Sequence, residues 1–201
     1  MKTIYLAGGC FWGVQKFFDQ FEGVLHTEAG YANGPENTGT GRQNLYMAME
    51  SLPDSGEENA DSTNEKMQVP SYEEVCRGSG HAETVRIDFD EEKLSLTDLL
   101  EYYFMIIDPV SYNRQGADEG IQYRTGIYYE DESLLPEVQA FYDRKEAEEM
   151  ARSYEPLAVE LEPLRNFYPA EEYHQKYLDK NPRGYCHIPR RMMNLNTSLE
   201  N

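Results

Sequence analysis

Apolar residues follow two rhythms along this chain. "TIYLA" (3–7) is short, apolar and β-branched at its start, and Gly8-Gly9 gives it a tight exit, so a strand ending in a turn is predicted. Phe11, Val14, Phe18 and Phe21 then recur at helical spacing, with Gly23 as a stop. Cys10 falls at the N-terminus of that helix. "AETVRIDFD" (82–90) returns to strict alternation: Val85, Ile87 and Phe89 share one face, Thr84, Arg86 and Asp88 the other. Glu83 has the parity of the apolar set.

"SLTDLLEYYFMIIDP" (95–109) predicts a second helix, with Ser95 and Asp98 resembling a capping box and Leu96, Leu99, Leu100, Tyr103, Phe104 and Ile107 as its stripe. Asp108-Pro109 ends it. A glycine-punctuated stretch, "NRQGADEGIQYR", leads to a strand over "TGIYYE" (125–130), a polar helix over about 134–150, an alternating strand "LAVELEPL" (157–164) and a short helix near "AEEYHQKYL". Strands interleaved with helices in this order imply an α+β, two-layered fold, a mixed sheet covered mainly on one side by helices. Two stretches stand apart. "ESLPDSGEENADSTNE" (50–65) carries six acids and no base, the composition of a solvated loop, and the tail after Pro189 has no clear period.

Charge narrows the function. With 37 Asp+Glu against 18 Lys+Arg the 201-residue chain has a net charge of -19, which repels nucleic acid and anionic lipid. No leader and no run approaching about 20 apolar residues is evident, so a soluble cytoplasmic protein of one domain is expected. Cys10, Cys76 and Cys186 are too few and too scattered for a secreted disulfide scaffold, and no Cys/His cluster has zinc-site spacing.

Cys10 is where chemistry is expected. A lone cysteine is commonly a small buried hydrophobe, but a helix N-terminus favours a thiolate and lowers a thiol pKa, which makes a nucleophile. "GGCFWGVQ" does not cradle phosphate, because Val14 and Gln15 stand where Lys and Ser/Thr are required. A cysteine hydrolase needs a histidine base, and nothing in the spacing selects His26, His81, His174 or His187. Cys186, in the Gly/Pro-rich "KNPRGYCHIPRR", suits a second thiol in a mobile segment equally well as an inert one.

"GGCFWG", "GYANG", "PSYEEVCRGSGHAETVRI", "NRQGADEGIQYRTGIYY" and "FYPAEEYHQKYLDKNPRGYC" resemble, in order, the motifs of the A-type peptide methionine sulfoxide reductases. The resemblance spans about Thr3 to Gly34 and Val69 to His187. It implies a single domain over 1–201 with an acidic loop insertion at about 36–68, and a two-layer ferredoxin-like α/β sandwich with a long irregular C-terminal segment. The implied reaction is reduction of methionine S-sulfoxide, free or peptide-bound, with thioredoxin (or dithiothreitol in vitro) as reductant and no bound cofactor or metal.

Residue by residue, the resemblance places Cys10 as nucleophile, Phe11 and Trp12 as the aromatics around the substrate methyl, Tyr72 and Tyr123 as hydroxyl donors, Glu83 as proton donor, Asp118 as the organising acid and Cys186 as resolving cysteine. A sulfoxide is polar at oxygen and apolar at methyl, so aromatic walls with a few convergent donors suit it. Strand parity turns Glu83 towards the apolar face, where burial raises a carboxyl pKa. Phe11 has the helical phase of a core residue; Trp12, one step off the stripe, is the better pocket wall. Cys76 reads as structural. The rival reading is a catalytically vestigial interaction protein acting through the acidic insertion.

Overall fold

The computed structural model describes residues 1–35 and 69–197; the acidic stretch and its expected insertion lie outside them. Eight strands and five α-helices follow one another as β1 (Lys2–Gly8), α1 (Phe11–Phe18), β2 (Val24–Ala32), α2 (Tyr72–Cys76), β3 (Ala82–Phe89), α3 (Leu96–Ile106), β4 (Arg114–Gln115), β5 (Asp118–Glu119), β6 (Thr125–Tyr129), α4 (Leu135–Ser153), β7 (Glu160–Pro163), β8 (Phe167–Pro169) and α5 (Tyr177–Lys180) among the described residues. β1 pairs antiparallel with β3 and β6, and β3 with β2, so the central order β6-β1-β3-β2 with α1 and α3 as crossovers is the ferredoxin-like βαββαβ arrangement. β7 adds in parallel beside β6 and β8 adds antiparallel beside β2, which makes the six-stranded sheet mixed.

The alternation of β3 sets the core. Val85, Ile87 and Phe89, with Leu6 and Ile127, pack against Val14, Phe17 and Phe18 of α1 and Leu99, Leu100 and Tyr103 of α3. α3 starts where expected, the Ser95 hydroxyl taking the Asp98 N–H at 3.1 Å. α4 lies on α3, and its Arg144 and Lys145 both pair with Glu101. The second face of β3 is drier than alternation predicts: Thr84 and Asp88 are buried, and Tyr5, Tyr128, Leu164 and Phe167 form a smaller apolar cluster on that side of the sheet. Asp88 is satisfied there by the Thr3 hydroxyl at 2.6 Å and by Arg86.

Five elements have no forecast in the sequence pattern: β2, α2, β8 and the short paired strands β4 and β5. β2, "VLHTEAGYA", mixes polar, small and apolar residues because its two sides meet different neighbours, with Gly30 lying under the Phe167 ring of β8. The strand expected over 157–164 shortens to β7. The helix expected near "AEEYHQKYL" is mostly a run of turns, because Lys176 is left-handed (φ 51°) and only α5 follows it. Beyond Pro189 the chain is not irregular but winds into 3-10 turns over Arg190–Thr197, broken at Asn194 (φ -142°, ψ 44°).

Candidate active site

The corner between β1 and α1 needs its second glycine twice over. Gly9 is left-handed (φ 79°), and a Cβ there would stand 2.6 Å from Cβ of Gln115. Gln115 is itself fixed, donating to the Asp108 carbonyl at 2.9 Å and accepting from the Asp108 N–H at 2.7 Å. Cys10 follows as the N-cap of α1 and is 6% exposed. The helix N-terminus does not lower this thiol as sequence position suggests. Burial first, then the charges of Glu83, Asp118 and Cys186, push it well above the usual thiol value, and the Trp12 N–H bonding it does not offset them.

Glu83 reaches the same corner from β3, opposite Tyr31 of β2. It is 1% exposed and accepts the Phe11 N–H at 3.0 Å. Burial, helped by Asp118, pushes its carboxyl up to about 8 despite that bond. The site thus holds a neutral thiol and a proton-bearing carboxyl together.

Tyr123 closes the 3-10 turn Ile121–Tyr123, and Tyr72 opens α2. Burial first, with Glu83 next for Tyr123, raises the Tyr123 hydroxyl; burial and a bond donated to the Cys76 sulfur raise that of Tyr72. Both are therefore neutral donors. Cys76 is exposed at the end of α2. Asp118, on β5, takes a hydrogen bond from the Tyr185 hydroxyl, and its Oδ2 is 3.8 Å from His187 Nδ1. The structure therefore places Glu83 within electrostatic reach of Cys10, Tyr72, Tyr123 and Asp118.

The two aromatics part company. Phe11 is 1% exposed, packed between Tyr31 and His174 at ring distances of 5.8 and 5.2 Å, as its helical phase foretells. Trp12 is only partly buried; it stacks on Tyr177 at 3.8 Å and donates Nε1–H to His174 Nδ1 at 3.0 Å. That bond requires the His174 proton to sit on Nε2, and burial keeps the ring neutral.

His174 is one of the residues that sequence reasoning did not single out. Arg124 is another: it donates to the carbonyls of Gly80, Ile121 and Asn33 at 3.1, 3.0 and 3.2 Å and to Glu160 at 3.0 Å. It clamps the turn before Glu83 to the turn that ends at Tyr123. Glu171 is a third, accepting the Tyr31 hydroxyl at 2.7 Å and the Tyr72 N–H at 3.1 Å. Their only sequence signal was membership in the quoted motifs, since none has periodicity. Of the other histidines, His26 is exposed, and His81 is buried against Ser79 Oγ at 2.9 Å and held down to about 4 by burial and by Arg124 and Arg165.

Cys186 does not sit in a loose tail. Its sulfur lies 2.7 Å from the point where a Cβ on Gly13 would stand, the Ile188 N–H bonds it, and Ile188 is 1% exposed in the core. The thiol also lines a cavity of about 260 Å³ with Lys16, Leu178, Pro182, Arg190 and Met193. Cys10 and Cys186 are both free thiols. Among the described residues no cluster of His, Cys, Asp or Glu could hold a metal ion, and no helix is long and apolar enough to cross a membrane.

A family model described as peptide methionine sulfoxide reductase matches residues 2–51 and 56–200. The chain belongs to the peptide methionine sulfoxide reductase family. A relative from Lachnoclostridium phytofermentans named peptide methionine sulfoxide reductase MsrA is 47% identical over 189 residues, 93% of this chain and 92% of the relative. One of the same name from Clostridium acetobutylicum is 45% identical over 194 residues, 96% of this chain and 98% of its own. Among solved structures, reduced Mxr1 from Saccharomyces cerevisiae superposes with a TM-score of 0.71 at 32% identity, covering 94% of this chain and 91% of that one. Methionine sulfoxide reductase A of Corynebacterium diphtheriae gives 0.73 at 28% identity, covering 94% and 82%. As a member of this family the chain is an oxidoreductase that uses thiols to return methionine sulfoxide to methionine.

Proposed function

We propose that Cys10 and Glu83 carry out the reduction, on the S epimer of methionine sulfoxide in peptides or as the free amino acid. One observation carries this reading: a carboxyl that keeps its proton to about pH 8 is buried beside a thiol at a helix start. Attack of sulfur on the sulfoxide places negative charge on oxygen, and a neutral acid within reach removes that cost. Glu83 gives its proton to the oxygen as the Cys10 sulfur attacks, and the thiol proton restores the acid. Tyr123 donates a hydrogen bond to the same oxygen, as does Tyr72 once its hydroxyl turns from the Cys76 sulfur; Asp118 orders the pocket, and Trp12 with Phe11 encloses the methyl group.

The oxygen ends on Cys10 as a sulfenic acid and methionine leaves. Cys186 then displaces hydroxide from the Cys10 sulfur, giving a disulfide and water. A dithiol partner, thioredoxin in the cell or dithiothreitol in vitro, reduces the disulfide by exchange. All electrons come from thiols, so the cycle needs no bound cofactor, and we place it in one cytoplasmic domain, 1–201, acting on oxidised proteins.

The test is consumption of each epimer of a methionine sulfoxide peptide, with either reductant, by the wild type and by Cys10→Ser. Consumption of the S epimer alone, abolished in the variant, is the expected result. A folded wild type that consumes neither epimer, or a Cys10→Ser variant that still consumes the S form, overturns the reading. Cys186→Ser should yield one methionine per chain and then stop with thioredoxin; sustained thioredoxin-driven turnover in that variant would remove Cys186 from the cycle.

A further inference from the structure

α1 carries a glycine at Gly13, a position where helix propensity alone favours alanine. Gly13 stands three residues after Cys10, so the two share one face of the helix, a turn apart. That face is occupied. A Cβ on Gly13 would lie 2.7 Å from Cys186 Sγ and 3.1 Å from Ile188 Cδ1, the first well inside ordinary van der Waals contact. Ile188 is 1% exposed and belongs to the main core.

We infer that Gly13 is the seat of the resolving thiol: the missing side chain leaves the notch in which the Cys186 sulfur rests, one helical turn from Cys10, and so governs how fast the two sulfurs join. This rests on the roles proposed for Cys10 and Cys186. In the step concerned the Cys10–oxygen bond breaks, the Cys10–Cys186 sulfur bond forms, and the hydroxyl group leaves with the Cys186 proton as water. Cys186 supplies the electron pair. A methyl group at position 13 displaces the sulfur from the notch, or lifts Ile188 and the segment behind it, while the first chemical step depends on neither contact. Gly13 is thus a positioning residue that acts on the second step alone.

Gly13→Ala separates the steps. Reduced protein is mixed with excess sulfoxide peptide without reductant, and methionine release and loss of free thiols are followed together. The wild type should lose two thiols per methionine at closely matched rates, and Cys186→Ser one. Gly13→Ala should release methionine within about twofold of the wild-type rate but lose its second thiol at least tenfold more slowly, leaving a sulfenic acid open to trapping by dimedone. Second-thiol loss at the wild-type rate overturns the inference while leaving the proposed function intact. A wild type that forms no Cys10–Cys186 disulfide removes the function on which it rests.

Stability supplies a check that needs no turnover. Alanine in a helix ordinarily raises the melting temperature by a few degrees relative to glycine. Gly13→Ala should do so only when Cys186→Ala has cleared the notch, and should lower the melting temperature when the sulfur is present. The same change in both backgrounds overturns the inference.

Discussion

The corner over Gly8–Phe18 and the segment over Phe167–Ile188 meet at the site, yet they are built on different physics. The corner is held by apolar burial: Phe11, Val14 and Phe18 are inside, and helical spacing announces them. The C-terminal segment is held by polar side chains that act as backbone. Gln175 accepts the Ala29 N–H at 2.9 Å and donates to the Ala29 carbonyl at 2.8 Å, so its amide extends the edge of β2 as a neighbouring strand would. Buried Gln15 of α1 completes the join, donating to Gln175 Oε1 at 3.2 Å and accepting the Lys176 N–H at 2.7 Å. The lesson is that one region carries its information in periodicity and the other in specific partners. The proposed division of labour follows that line, with the first chemical step at the corner and its recycling on the segment.

The largest effect is expected at the corner. Glu83→Gln keeps an acceptor for the Phe11 N–H but has no proton to give, so kcat/KM should fall by about 10² to 10⁴. The wild-type rate should hold below about pH 8 and fall about tenfold per unit above it as the carboxyl ionises, a limb the variant should lack. Stability gives the same sign by linkage. The carboxyl keeps its proton to about 8 when folded and to the ordinary 4.5 when unfolded, so the folded state binds more protons between those values. Wild-type stability should therefore decline by up to about 1.4 kcal/mol per pH unit across that window and level off above it. Urea titrations at pH 5 and pH 8.5 check this: Glu83→Gln should lose the decline, and an equal decline in both proteins would mean that the carboxyl is not held up.

A smaller effect is expected in the segment. Gln175→Ala leaves the Ala29 N–H unpaired against a dry interior, while the Ala29 carbonyl keeps the Ala170 N–H at 2.9 Å, at a cost of roughly 1–3 kcal/mol. Single-turnover release of methionine should persist, while thioredoxin-driven turnover falls several-fold more, because Cys186 is carried by the loosened segment. Equal losses in both assays would erase the distinction between the two regions.

The same contrast explains what the sequence made legible. The strands of β1, β3 and β6 and the helices α1, α3 and α4 follow from two- and 3.6-residue patterns, and Glu83 could be placed on the core face by parity alone. β2 could not, because Gly30 beneath Phe167 and Ala29 against Gln175 are requirements of remote partners. The "AEEYHQKYL" turns read as a helix since the left-handed Lys176 leaves no compositional mark. Cys10 could be picked out by its place at a helix start, but the direction of its pKa could not: burial and Glu83 are tertiary facts that outweigh the local dipole. The apolar members of the site were visible one by one; Arg124, Glu171 and His174, which hold it together, were not.

His174 joins the two regions and gives the finest test of the comparison. Trp12 is fixed by a stack on Tyr177 and by one bond from its indole N–H to His174 Nδ1. If the C-terminal segment acts through specific partners rather than bulk, the acceptor at Nδ1 should matter more than the ring that carries it. Asn places a carbonyl oxygen near the Nδ1 position and can accept the same bond, whereas Leu fills similar space without an acceptor. Loss of one neutral bond is worth about 1 kcal/mol, close to fivefold in binding. His174→Leu should therefore raise the KM for a sulfoxide peptide about fivefold with little change in kcat, and His174→Asn should stay within about twofold of the wild type. A KM that rises equally in both variants would show that the aromatic packing of His174 against Phe11 and Tyr72, at ring distances of 5.2 and 4.4 Å, orients the pocket instead, and the segment would then resemble the corner after all.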